Sequence, residues 1–409
     1  MKKSTLAILL LFCCLHWSTV FCQNLALVDA KIYPSPTEAP IEKGVVLIRD
    51  GKITAVGSSD KIVVPKNMTV IDCKGLILTA AFWNCHVHFI EPKWDQADQL
   101  PAATFVRQME DMITSHGFAH VFDLAEFTIG HVLLIRNRIK KGDVAGPVIY
   151  TAGVPMVPPH GSPIYIAPYK LPEIGDPQQA AAHVRQQIDS GADAIKLWTG
   201  SPIGGGNIAY MPEAVAKAVV TTAHGLGKPV FSHPTDSMGV AIALTCGVDI
   251  LAHTAHDEKP WSAETIRKMI ASHMAVIPTL KLCKEELIRQ GVTDWEKNPL
   301  LPSAQRQLRD FSQAGGQVLF GTDVGYVPDY STGDEYTFMA GAGLSFQQIL
   351  AALTTAPAKR FGLSAKTGLI AKGMDADIVL LAADPTADIR AFDKVAYTLY
   401  QGKIIYQKP

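Results

Sequence analysis

The stretch Asn84-Cys85-His86-Val87-His88-Phe89 closes an apolar run, Gly75-Leu76-Ile77-Leu78-Thr79-Ala80-Ala81-Phe82-Trp83, which reads as a buried β-strand. Side chains alternate faces along a strand, so His86 and His88 are expected on one face and Cys85 and Val87 on the other. Two imidazoles side by side at the end of a buried strand can grip one metal ion from one side. They can equally be two hydrogen-bonded core histidines. The pair alone does not decide, and the rest of the chain has to.

Working outward, seven more apolar segments alternate with helical stretches: 120–124, 147–151, 192–197, 229–233, 248–253, 274–278 and 317–321. That alternation is the signature of parallel β/α units. Between them, the stretch from Asp176 to Ser190 has Pro177 in its first helical turn and Gly191 as a C-terminal cap. Eight parallel strands in this much chain predict an α/β protein whose main body, residues 78–357, is a closed (β/α)8 TIM barrel. The two ends read differently. Asp50-Gly51 joins two β-rich runs, and Gln401-Gly402 joins two more, each a hairpin signal. Neither end has enough apolar surface to stand alone. Residues 23–77 and 358–409 are therefore expected to form one small composite β domain, a β-sandwich, with the barrel inserted between its halves.

Composition sets bounds on partners and location. The chain has 409 residues, 48% of them hydrophobic, so it is long enough for one large core and too apolar for disorder. A net charge of -1 with no basic stripe argues against nucleic acid as a partner. Residues 1–22 read as a secretory signal: Lys2-Lys3, an apolar run from Leu6 to Cys14, then an imperfect cleavage site at Val20-Phe21-Cys22. The run is short for a spanning helix, so no stable membrane insertion is expected after cleavage, and the mature protein is expected to be periplasmic or secreted. A retained anchor or a lipid on Cys22 are the alternatives. Cys73, Cys85, Cys246 and Cys283 remain after cleavage; they are widely spaced and read as small buried apolar residues. A homo-oligomer is compatible with this composition.

The chemistry gathers at the strand ends. The first strand ends in His86 and His88, the fourth at Lys196, the fifth in His233 and the sixth in His253; Thr322-Asp323 follows the eighth. In such a barrel these ends converge on one mouth. Lys196 occupies a strand otherwise bound for the interior. Burying an unpaired ammonium is costly, so the group tends to lose its proton. A neutral amine can react with carbon dioxide to give a carbamate, whose two oxygens can bridge two metals. A buried lysine paired with a nearby carboxylate is the other reading of Lys196.

This ordered set resembles the amidohydrolase superfamily of metal-dependent hydrolases, and within it the imidazolonepropionase-related branch that includes Xaa-Pro dipeptidases. The resemblance runs over nearly the whole chain after residue 22. It rests on His86/His88, residues 191–196, 227–233, 247–253 and 321–323, with 355–358 and 373–379 in the tail. It implies two divalent ions, usually zinc. His86, His88, carboxylated Lys196 and Asp323 would hold one; Lys196, His233 and His253 would hold the other. It also implies hydrolysis of an amide-type C–N bond in a small-molecule substrate, such as a dipeptide or an N-acyl amino acid. A hydroxide bridging the ions would attack, and Asp323 would move the proton to the leaving amine.

The sequence departs from the family in two places. Ala80-Ala81 and Trp83-Asn84 stand where Pro-Gly and Ile-Asp are usual, which points to local repacking. Residues 326–330 replace a usual His-Gly pair, so substrate preference is not carried over. Three more residues are candidates at the mouth. His160 follows the third strand as a substrate-facing, catalytic histidine or else a plain loop histidine. Tyr210 lies in a Gly-rich loop where it could meet a substrate carboxylate, and Tyr326 could line the pocket. His256 reads as a surface or supporting histidine. Cyclic amidase, lactonase and mononuclear deaminase remain as alternatives, the last with Asp236 as a proton shuttle. A non-catalytic binding protein with a structural metal site is the alternative of another class.

Overall fold

The computed structural model describes residues 24–257 and 259–409, so the signal expected over residues 1–22 lies outside the described residues. The apolar run that opens the sequence reading divides in two. Ile77–Ala80 pairs antiparallel with Ile378–Leu381 and parallel with the end of Leu25–Ile32. Phe82–Val87 pairs instead with Phe118–Asp123, in a different sheet. Ala81 alone separates them, its N–H donating to Asp377 O. The expected single strand is thus two. Every residue from 77 to 89 is buried, so apolarity gives no sign of where the chain changes sheets.

Eight parallel strands follow: Phe82–Val87, Phe118–Asp123, Val148–Thr151, Ile195–Trp198, Val230–His233, Ile250–Leu251, Ala275–Val276 and Gln317–Val318. The first three form one sheet and the other five, in sequence order, a second. Backbone hydrogen bonds cross both seams. Asp193 N–H donates to Thr151 O at 2.7 Å between the third and fourth strands, and Cys85 N–H to Phe320 O at 2.8 Å between the first and eighth. One buried cluster draws on or beside all eight strands, including Trp83, Phe122, Ala152, Ala194, Phe231 and Leu319. A larger one packs their other faces against helices. Helix Pro177–Asp189 starts as its sequence suggests, with the Asp176 carboxylate accepting from the N–H groups of Gln178 and Gln179.

Strands from the two ends of the chain form one eight-stranded sheet. Both hairpins are present, Asp50 and Gly51 with positive φ. The sheet forks. The first half of Leu25–Ile32 pairs with Thr69–Asp72 and the second half with Ile77–Ala80. The fork falls where the strand breaks register around Asp29, whose φ is 61°. Asp377 ties this sheet to the parallel strands: His120 Nε2–H donates to its carboxylate at 2.9 Å, as does Gln401 N–H. Cys73, Cys85, Cys246 and Cys283 are buried with free thiols. No helix among the described residues is long and apolar enough to cross a membrane.

Candidate metal centre

His86, His88, Lys196, His233, His253 and Asp323 all line one cavity of about 400 Å³ at the C-terminal ends of the parallel strands. The tightest group is His86, His253 and Asp323, each buried, with ligand atoms within 4.8 Å of one another. His88 Nε2 lies 2.8 Å from Asp323 Oδ1 and 3.1 Å from His86 Nε2. The His233 and His253 rings are 4.6 Å apart at their centroids.

Backbone and hydroxyl groups set the imidazoles. His86 Nδ1–H donates to Ala252 O at 3.0 Å, and His253 Nδ1–H to Thr279 Oγ1 at 2.7 Å. Each bond fixes the tautomer and leaves Nε2 with its lone pair. Thr279 and Asp323 have φ of 43° and 59°, in the left-handed region that non-glycine residues avoid. Such backbone persists where its surroundings impose it, and functional sites are where it collects. Around Asp323 the surroundings are three backbone hydrogen bonds, one to His86 O and two from the N–H groups of Tyr326 and Val327. The same loop needs Gly325, because a Cβ there would collide with the carbonyl oxygen of His88.

The first strand does not keep strict alternation. It shifts register between Asn84 and Val87, and Cys85 and Val87 pack in different clusters while both histidines still reach the cavity. Asn84, at the departure from the family pattern, laces this strand to the Asp323 loop. Its Nδ2–H donates to Thr322 Oγ1 at 2.7 Å, and its Oδ1 accepts from the N–H groups of His86 and Thr322.

Electrostatics leave the donors in the forms a cation needs. Burial pushes the pKa of His86, His233 and His253 well below the ordinary histidine value, so the rings are neutral. Burial also lowers Lys196 to about 7, against the pull of Asp323 and Asp123. For Asp323 burial works upward, but His86, His88 and Lys196 outweigh it and hold the carboxyl well below the usual range. Neutral imidazoles around a carboxylate, at hydrogen-bonding distance and shielded from water, are a donor set that fits a divalent cation.

Two expected residues are not brought to the cavity. His160 is exposed in a turn closed by Gly161 N–H to Pro158 O, and its own N–H donates to Glu173. His160 is not among the residues that line the cavity. Tyr210 sits on a hairpin with its hydroxyl donating to Asp236 at 2.5 Å, and it too lies outside the lining. Asp236 in turn caps helix Ser237–Cys246 by accepting from Gly239 N–H. Tyr326 does line the cavity, its hydroxyl donating to Glu286 at 2.7 Å, and His256 lines it as well. Sequence reasoning misses Trp198, which stacks on His233 with centroids 3.9 Å apart. Trp198 is two residues past Lys196, and strand alternation could have found it. It also misses Glu126, Tyr165 and Glu286, which carry no local signal.

A sequence model of the Amidohydrolase family matches residues 77–405. The chain is 23% identical to an ochratoxinase of Aspergillus niger over 414 aligned residues, covering 90% of this chain and 84% of that one. Among solved structures it is similar to a Xaa-Pro dipeptidase with bound methionine in the active site, with TM-score 0.81 and 21% identity over 94% of this chain and 100% of that one. It is similar as well to the crystal structure of the A. niger ochratoxinase, with TM-score 0.77 and 20% identity over 94% and 96% of the two chains.

Proposed function

The chain belongs to the amidohydrolase family, and from that premise we propose that it is a metal-dependent hydrolase cleaving an amide-type C–N bond in a small molecule. The observation that carries this is the convergence of six side chains, from strands far apart in sequence, on one cavity. Hydrogen bonds across both seams, and one interior cluster shared by eight strands, support reading the two parallel sheets as one closed (β/α)8 barrel. We take residues 82–357 as that barrel and residues 24–80 with 358–409 as the small domain, a boundary later than the one expected between 77 and 78 because Ile77–Ala80 pairs within the outer sheet. An exported location rests on residues 1–22 alone.

In this reading His86, His88, Lys196 and Asp323 would hold one divalent ion, zinc by preference, and Lys196, His233 and His253 would hold a second. Imidazole with carboxylate suits zinc. Lys196 would contribute to both after carboxylation, in which its nitrogen would bond the carbon of carbon dioxide and release a proton to water, leaving an anionic group with two oxygens. A burial that favours the neutral amine supports that step. The metal supplies a Lewis acid for the carbonyl oxygen and a water acidified to serve as nucleophile at neutral pH. Thr279 Oγ1 and Ala252 O hold the His253 and His86 rings in place. Asp323, anionic and beside both His86 and His88, is placed to take a proton and return it to the leaving amine.

The test combines elemental analysis with a substrate panel. Purified protein should hold about two metal equivalents, and Lys196→Ala should lose most of them along with hydrolysis of dipeptides and N-acyl amino acids. Metal content untouched by that change, or turnover of lactones with no amide cleaved, would count against the proposal.

A further inference from the structure

Resting on that reading of the site, we infer that the substrate is an amide with one bulky, apolar, non-anionic half, which the cavity wall and its rim hold, rather than a small polar dipeptide. Beyond the metal donors the wall is formed by Phe127, Ile164, Tyr165, Trp198, Leu282 and Tyr326. Trp198 stacks on His233, and the Tyr165 ring lies 6.3 Å from Trp198 and 5.2 Å from Tyr326 at the centroids. Aromatic surface therefore runs without a break from a ligand histidine outward. It does not stop inside: Ile164 is 64% exposed, Tyr165 41% and Phe127 37%. Tyr169, 61% exposed, stacks on Phe127 with centroids 4.5 Å apart. A soluble surface rarely leaves a group of large apolar side chains in water unless something covers them. Here the group forms the lip of a cavity of about 400 Å³, a volume within the range of small-molecule sites. A small polar substrate would reach the metal donors and leave this surface wet.

Charge narrows the class further. Among the described residues Lys196 is the one lysine or arginine lining the cavity, and it belongs to the donor set. Glu126 and Glu286 line it too. Arg289, behind the wall, is engaged by Glu286 at 3.0 Å and by Tyr326 O at 3.3 Å. Glu126 accepts from His131 through Oε2, while its Oε1, buried, has no partner. An anionic group on the bulky half would meet two carboxyl side chains and no free cation. Tyr210, the residue expected to meet a substrate carboxylate, is committed to Asp236.

The experiment uses metal-loaded full-length protein and matched amides. One series places acetyl, 2-naphthoyl or 6-carboxy-2-naphthoyl on a shared glycine; a mirrored series places the naphthyl group on the amine side. In at least one series the naphthyl amide should exceed the acetyl amide in kcat/KM by about tenfold or more, and the added carboxylate should abolish that advantage. Tyr165→Ala should raise KM for the naphthyl amide more than for the acetyl amide, while Tyr165→Phe, which keeps the ring, should retain the preference. Calorimetry on metal-free protein should show binding of 2-naphthamide, weakened by Tyr165→Ala. Acetyl and naphthyl amides cleaved equally, or a carboxylated analogue cleaved as well as its parent, would overturn the inference and leave the hydrolase proposal standing. Naphthamide binding with no amide cleaved in either series would sustain the apolar site and sink the hydrolase proposal instead.

Discussion

Thr279 is β-branched and yet adopts a φ of 43°, a backbone that costs such a residue energy. Its hydroxyl is what the site uses, 2.7 Å from His253 Nδ1, with its own proton given to Pro278 O. Thr279→Val keeps the shape and removes the acceptor. Metal affinity, measured by competition with a chelator, should fall about 10- to 100-fold, whereas Thr279→Ser should hold most of it. Equal affinity in the valine variant would strike Thr279 from the residues that support the centre. Nothing in the sequence marks this position, because backbone strain leaves no compositional trace. His86, His88, Lys196, His233, His253 and Asp323 are legible because each is a polar residue at the end of an apolar strand. Tyr165 and Glu286 are not, since one rides a short turn and the other a helix. Their approach to the cavity depends on loop shape. His160 depends on loop shape too: it follows the third strand where a pocket residue is expected, but its exposed turn leaves it out of the lining.

Among elements, Ile378–Leu381 shows how the far end of the chain is locked onto the parallel strands. Asp377, just before it, accepts from His120 on Phe118–Asp123 and from Gln401 N–H at the last hairpin. Burial works to raise the Asp377 pKa, but the hydrogen bond and charge of His120 together with the hydrogen bonds from Gln401 N–H and Thr367 outweigh it and hold the carboxyl below its ordinary value. An unfolded aspartate titrates near about 3.9. A depressed folded pKa therefore stabilises the protein above that pH, and the contribution is lost as pH falls toward the folded value. Asp377→Asn should lower unfolding stability by about 2 kcal/mol at neutral pH. The gap from the unmodified protein, read from urea midpoints, should shrink below about pH 4. A gap independent of pH would mean that the charge does not act through this contact. The strand itself is visible in sequence, as are both hairpins. What escapes is the division of the 75–89 run, because strands buried on both faces give one unbroken apolar signal.

At the scale of the molecule, the donors come from both parallel sheets. His86 and His88 lie on the three-stranded one, Lys196, His233 and His253 on or just past strands of the five-stranded one, and Asp323 past the last strand of the latter. A cation held among them would clamp the sheets together. Stripping metal with a chelator should lower the thermal midpoint, by an amount equivalent to about 4 kcal/mol at metal 1,000-fold above its dissociation constant. The amides of Cys85, His88 and Asp323, whose hydrogen bonds cross or flank the seam, should then exchange faster with deuterium. Identical midpoints and exchange with and without metal would show that no such clamp exists. The alternation of strands and helices makes the general architecture readable, whereas the forked outer sheet depends on a register break at Asp29 that only coordinates reveal. The one-residue passage at Ala81 bears on access to the cavity. The outer sheet and the parallel strands, joined by so short a tether and fastened again at Asp377, are tied at two points, so a movement of one is passed to the other. We expect entry and exit of reactants to depend on the lip around Ile164 to Tyr169, so turnover should slow as solvent viscosity rises, and turnover indifferent to viscosity would count against it.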